Sequence, residues 1–497
     1  ADKMRPGMVL FSVVVLFLCV GILTPKEMLE GFSNKGMITV ALLFLVSEGI
    51  RQSGTLGQVI KKLLPQGKTT VFKAQLRILP SVAFISAFLN NTPVVVIFAP
   101  IIKHWAKSVK LPATKFLIPL SYVTILGGIC TLIGTSTNLV VHGMILEAGY
   151  EGFTMFELGK VGIFIAIAGI IYLFIFSKRL LPDARPDTAV PDEEVEEGEK
   201  LHRVEAVLGA RFPGINKKLS DFNFQRHYGA EVKEIKTRNG QRYVDHLEDV
   251  VLREGDTLVV MADDTFIPTW GESSVFVLLT NGNEPDTTGK KKRWFALLLL
   301  VLMIVGATVG ELPITKEMFP DIKLDMFFFV SITTIIMAWT NLFPARKYTK
   351  YISWDILITI ACAFAISKAM VNSGVADCVA KFIIGLSDDY GPHVLLAMLF
   401  IITNLFTELI TNNAAAALAF PLALSISTQM GVSPTPFFVV ICMAASASFS
   451  TPIGYQTNLI VQGIGNYKFM DFVRIGLPLN IITFLISVIL IPMIWNF

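Results

Sequence analysis

Charge is scarce in this 497-residue chain: Asp, Glu, Lys and Arg make up only 16% of it, against 53% apolar residues. With a mean hydropathy of +0.61, that balance excludes an ordinary soluble protein, whose surface needs about 25% charged residues. Neither sign of charge dominates, since the net value is +3, so nothing here implies a nucleic-acid partner. Cysteine is rare as well. Cys19, Cys130, Cys362, Cys378 and Cys442 show no pairing pattern or metal-ligand spacing and read as small core residues. None of the six histidines pairs with Cys, Asp or Glu at metal spacing. No nucleophile, base and orienting group can be assembled, so an enzyme is not expected, nor is an organic cofactor.

What is present is bilayer-length apolar sequence. Uninterrupted runs cover Gly7 to Thr24, Val161 to Phe176, Trp294 to Gly310, Leu324 to Phe343 and Ile475 to Trp495, long enough to cross ~30 Å of hydrocarbon. The first follows Lys3 and Arg5 like a signal peptide, but its length and the lack of a small-residue cleavage site favour a retained helix. The apolar character breaks once, over residues 182–290, between the acidic run Pro182 to Glu199 and the basic run Lys290 to Arg293. Val204 to Leu208, Tyr228 to Ile235 and Asp256 to Met261 read as strands there, with Asn239-Gly240 as a hairpin turn. A small α/β inserted domain is expected between membrane halves 1–181 and 291–497.

An internal repeat organises those halves. Gly134-Thr135-Ser136-Thr137-Asn138-Leu139 returns 320 residues later as Gly454-Tyr455-Gln456-Thr457-Asn458-Leu459. At nearly the same offset Leu89-Asn90-Asn91-Thr92 matches Ile410-Thr411-Asn412-Asn413, and Ser53-Gly54 matches Ser373-Gly374. Lys and Arg gather in cytoplasmic loops. Lys61, Lys62, Lys68, Lys73 and Arg77 precede the first Asn pair, and Lys103, Lys107, Lys110 and Lys115 follow it, so both ends of that segment face the cytoplasm. The second pair lies between Asp388, Asp389 and His393 and the uncharged stretch Gln429 to Pro436, so its ends face outside. The expected fold is therefore an all-α polytopic membrane protein with two inverted repeats. It has about nine crossings, two re-entrant hairpins, a cytoplasmic N-terminus and insert, and an outside C-terminus.

A hairpin that turns at membrane depth exposes backbone groups which lipid cannot satisfy, so its tip must face a polar cavity. Asn90-Asn91-Thr92-Pro93 and Thr411-Asn412-Asn413 supply amides and hydroxyls at such tips. The helix after each aims its positive end at the cavity, which suits an anion. Thr131-Leu132-Ile133-Gly134 and Thr451-Pro452-Ile453-Gly454 put Gly or Pro in mid-membrane, where unwound carbonyls suit a hard cation such as Na⁺. Glu408 is the only carboxylate beside a tip, so coupling through a dedicated carboxylate is the less favoured mechanism. Asn and Thr also glue membrane helices together. Two pairs at matching offsets, each followed by the same Gly-x-x-Thr-Asn element, weigh against packing alone.

At these residues the sequence resembles the divalent anion/sodium symporter family, over roughly 36–178 and 294–497. The resemblance implies an elevator-type homodimer in a plasma membrane, with one anion between two tips and about two sodium ions. It assigns the substrate to Asn90, Asn91, Thr92 and Thr131 on one side and to Thr411, Asn412, Asn413, Thr451 and Pro452 on the other. It places sodium at Ser86, Asn91 and Cys130, and at Thr407, Ile410, Asn412 and Ser450. Asn90 and Asn413 depart from the family's Ser-Asn-Thr tips, and the added amides suit a compact oxyanion. The insert resembles the regulatory C-terminal (RCK-C-like) domain of potassium-channel and potassium-uptake proteins, at Glu205-Ala206-Val207, Gly229-Ala230-Glu231-Val232 and Glu254 to Leu258. That implies a sulfate-type member with an unidentified small regulator. A C4-dicarboxylate carrier, a gated channel and an anion-sensing receptor are the competing readings. His142, whose counterpart is Gln462, reads as structural, and Glu48 as part of a solvated helix end.

Overall fold

The computed structural model describes residues 6–497 except 66, 184–201, 210, 238–240, 264–265, 267–269, 271–274, 281–289, 320 and 387–390. Most of the acidic linker, the Asn239-Gly240 turn and Asp388-Asp389 therefore lie outside the described residues. Among those described, six helices are long and apolar enough to cross a membrane, and four shorter apolar helices accompany them. Two expected spans prove short: Pro6–Cys19 stops ahead of the Thr24-Pro25 cap, and Met326–Trp339 has 14 residues. Burial of a helix among its neighbours, which composition does not report, decides whether a short apolar segment is a span. Length alone thus gives fewer crossings than the nine expected.

The sequence repeat is a structural repeat. Helices Val71–Ser86 and Asn91–Ser108 form one hairpin, and Gly391–Leu409 and Asn412–Met430 form the other. Pro100 and Pro421 occupy corresponding places in their second helices. Gly54 and Gly374 both take left-handed φ (69° and 74°) between consecutive helices, a conformation that costs glycine little. Leu117–Gly128 and Ser136–Glu147 are split by a non-helical segment, as are Thr435–Ser446 and Gln456–Gly465. Each split presses on its hairpin. A Cβ on Gly134 would lie 3.0 Å from the Ala87 carbonyl oxygen, and one on Gly454 2.7 Å from that of Thr407. Only glycine permits so close an approach of two backbones.

The insert is a five-stranded, wholly antiparallel sheet in the order β3-β2-β4-β1-β5, with β1 His202–Leu208, β2 Glu231–Lys236, β3 Arg242–Tyr243, β4 Thr257–Ala262 and β5 Phe276–Thr280. Strand β2 starts later than expected, because Phe224–Tyr228 forms a short helix closed by Gly229 at φ 71°. Phe212, Phe222, Phe224, Tyr228 and Phe276 pack on one another in its separate core. Strand β1 and the approach to β4 rest on the membrane half. Lys103 pairs with Glu205 at 2.8 and 3.0 Å, and a Cβ on Gly255 would meet the Leu459 side chain at 2.8 Å.

Candidate functional site

The two tips are built alike. Ser86 Oγ donates to Asn91 Oδ1 at 2.8 Å, and Thr407 Oγ1 donates to Asn412 Oδ1 at 2.7 Å. Thr131 Oγ1 donates to the Ala87 carbonyl and receives Gly134 N–H (3.1 Å), while Thr451 Oγ1 donates to the Glu408 carbonyl (3.3 Å) and receives Gly454 N–H (3.2 Å). Asn138 Nδ2 holds the Thr131 carbonyl at 2.8 Å, and Asn458 Nδ2 holds that of Thr451 at 3.1 Å. Each tip is thus stapled to its split helix by Thr hydroxyls and Asn amides. Polar groups buried inside an apolar bundle need such partners.

The halves meet through Tyr455. Its hydroxyl accepts from Asn91 Nδ2 at 2.6 Å and lies 3.1 Å from Thr135 Oγ1. Ser136 and Thr137 donate to Asn413 Oδ1 at 3.1 and 3.3 Å. Asn91, Asn412, Asn413 and Thr131 are buried, whereas Asn90, Thr92 and Thr451 are half-buried and Thr411 is exposed. Neither Asn90 nor Thr411 caps its helix with a side chain, and neither do Thr135 and Tyr455. Four helix starts therefore keep free N–H groups near one place, a favourable setting for negative charge.

Oxygen atoms crowd behind the second tip. Thr407 Oγ1 is 2.7 Å from Asn412 Oδ1 and 2.6 Å from the Ala445 carbonyl. One hydroxyl hydrogen cannot serve both acceptors fully, so three oxygens crowd a single proton, a field that a cation relieves. Cys130, Ser450 and Ile410 lie in the expected segments; Cys130 Sγ donates to the Leu126 carbonyl at 3.3 Å, and Ser450 Oγ receives Asn480 Nδ2 at 2.8 Å. Pro452 is buried between Thr451 and the exposed Ile453.

Sequence reasoning missed Tyr455, Asn480 and the Asn138/Asn458 pair as site residues. The Asn pair stood in the repeated motif, but its partners are backbone carbonyls, which leave no mark in a sequence. Glu48 is engaged by Arg51 (2.6 and 2.8 Å) and Gln52 (2.6 Å) on its own helix, as a helix end requires. His142 is half-buried under Gly152, with Nδ1 lacking a partner.

Split helices, paired hairpin tips and a polar centre inside an apolar bundle define an integral membrane transporter. The chain belongs to the citrate transporter family, CitMHS, which matches residues 1–431 and 322–497. It is 29% identical, over 97% of its length and 93% of the relative's, to the uncharacterized transporter sll0640 of Synechocystis sp.. Sodium/sulfate cotransporter 2 of Chlamydomonas reinhardtii is 31% identical over 56% of this chain and 31% of that protein. The sodium-dependent dicarboxylate transporter SdcS of Staphylococcus saprophyticus is 25% identical over 29% of this chain and 28% of its own length. The protein is a transporter and not an enzyme.

Proposed function

We propose that this protein is a secondary active transporter that couples entry of sodium to entry of a divalent anion, with sulfate the preferred substrate. One observation carries the reading: two like-built Asn tips, from opposite halves of the chain, meet through Asn91–Tyr455 and through Ser136 and Thr137 on Asn413, with amide oxygens turned toward Ser86 and Thr407. An anion in that centre and cations behind the amides stabilise each other, which is coupling in its simplest form. The cotransporter relative named for sodium and sulfate supports the same choice, as do the extra amides Asn90 and Asn413.

In this reading the repeats are inverted, and the hairpins with their split helices move as one body against the remaining helices of a homodimer. The insert lies in the cytoplasm as a regulatory, RCK-C-like module. Its contact with the Lys103-bearing helix of the first hairpin and with Leu459 of the second split helix gives a regulator a short path to the site. Uptake of labelled sulfate into proteoliposomes tests the proposal. A sodium gradient should drive uptake, and succinate should compete weakly. Uptake of succinate in preference to sulfate would assign a dicarboxylate carrier instead, a reading that the SdcS relative favours. Indifference to sodium would remove the coupling.

A further inference from the structure

The two tips differ in one respect that the repeat makes conspicuous. Following the hydrogen bonds from Thr131 and Thr451, Glu408 corresponds to Ala87, and Ser450 to Cys130. Gly162 and Gly476 both press on the split segment, near Cys130 and Ser450, which sets Asn480 opposite Ala166. Thr403 and Ser446 stand where the first half has Val82 and Leu126. A run of apolar positions at the first tip is thus a run of oxygen-bearing side chains at the second.

Those side chains are only half satisfied. Glu408 Oε1 accepts from Ser450 N–H at 2.9 Å and from Asn480 Nδ2 at 2.8 Å. Glu408 Oε2, Asn480 Oδ1, Ser446 Oγ and Thr403 Oγ1 are buried with no hydrogen-bond partner. Asn480 is 6% exposed, Ser446 1% and Thr403 0%. Among the described residues no Lys, Arg or His pairs with Glu408. A carboxylate with a bare oxygen inside a membrane bundle is costly unless a positive charge meets it.

We infer that the second tip holds a carboxylate-bearing cation site, built on Glu408 with Asn480 and Ser450, that has no equivalent at the first tip. The inference rests on reading the tips as cation sites. Neutral oxygens alone leave a bound cation dependent on the transported anion for charge balance. Glu408 supplies that balance from the protein itself. The second tip therefore binds an alkali cation without the anion, and the first tip binds one well only with it.

Labelled sodium binding to purified full-length protein, with and without sulfate, tests this. The wild type should bind sodium in the absence of any divalent anion. Glu408→Gln should weaken that anion-independent binding about tenfold or more, and Glu408→Asp, which keeps the charge, should retain most of it. Asn91→Ala should spare it. Unchanged anion-independent binding in Glu408→Gln, alongside a loss in Thr407→Ala, would overturn the carboxylate site and leave the tip reading standing. If neither Thr407→Ala nor Glu408→Gln altered sodium binding, the second tip would not be a cation site at all. Absence of anion-independent binding in the wild type would also overturn the inference.

Discussion

Asn91 can be changed in two ways that separate its two roles. Its Oδ1 takes the Ser86 hydroxyl at 2.8 Å and its Nδ2 reaches Tyr455 at 2.6 Å, with Ser86 and Asn91 both 0% exposed. Asn91→Ala removes both atoms. It strands a buried Ser86 hydroxyl, at about 1–3 kcal/mol of stability, and deprives the anion of a donor, at roughly 1.5–3 kcal/mol or about 10- to 100-fold in affinity. Asn91→Asp keeps the size and the acceptor for Ser86, but turns the donor into a negatively charged oxygen. A unit charge about 4 Å from a unit of anionic charge costs about 4 kcal/mol at an effective dielectric of 20, or roughly a thousandfold. The Asp variant should therefore lose anion affinity more severely than the Ala variant while binding sodium at least as well as the wild type. Sulfate uptake across a concentration series, with labelled sodium binding on the same preparations, measures both. If Asn91→Asp transported sulfate with unchanged half-saturation, the amide would not face the anion, and the tip would revert to a packing element.

Ser86→Ala and Thr407→Ala should raise the sodium concentration for half-maximal uptake more than they alter sulfate half-saturation at high sodium; a purely sulfate-side defect would contradict the cation assignment. Tyr455→Phe removes the hydroxyl shared by Asn91 and Thr135 and should change sulfate half-saturation by about tenfold, whereas an unaltered value would make Tyr455 a bystander. Gly463→Leu should unseat the insert, because a Cβ there would already lie 2.7 Å from Thr257 Oγ1. Limited proteolysis of residues 202–280 should then accelerate with uptake still sodium-dependent, and unchanged cleavage would refute the docking contact. Protease outside sealed right-side-out vesicles should leave that same stretch uncut, and cleavage there would reverse the proposed topology.

Much of this protein was legible before any coordinates. Apolar runs announce a bilayer because the cost of burying charge in hydrocarbon acts on composition directly. A repeat of Asn pairs and Gly-x-x-Thr-Asn elements is visible because each residue recurs at a fixed offset, and the structure places both copies on like elements. The charge break at 182–290 likewise marks the insert. Tertiary structure alone decided what those residues touch. The staples run from side chains to carbonyls of Ala87, Thr131, Ala445 and Thr451, and a carbonyl is the same in every residue. Tyr455 gained its place by standing where the first repeat has Thr135, so similarity between repeats could not single it out. The half-satisfied oxygens around Glu408 emerge only when three separate helices close around the second tip, since burial and partnership belong to the packed chain and not to any segment of it.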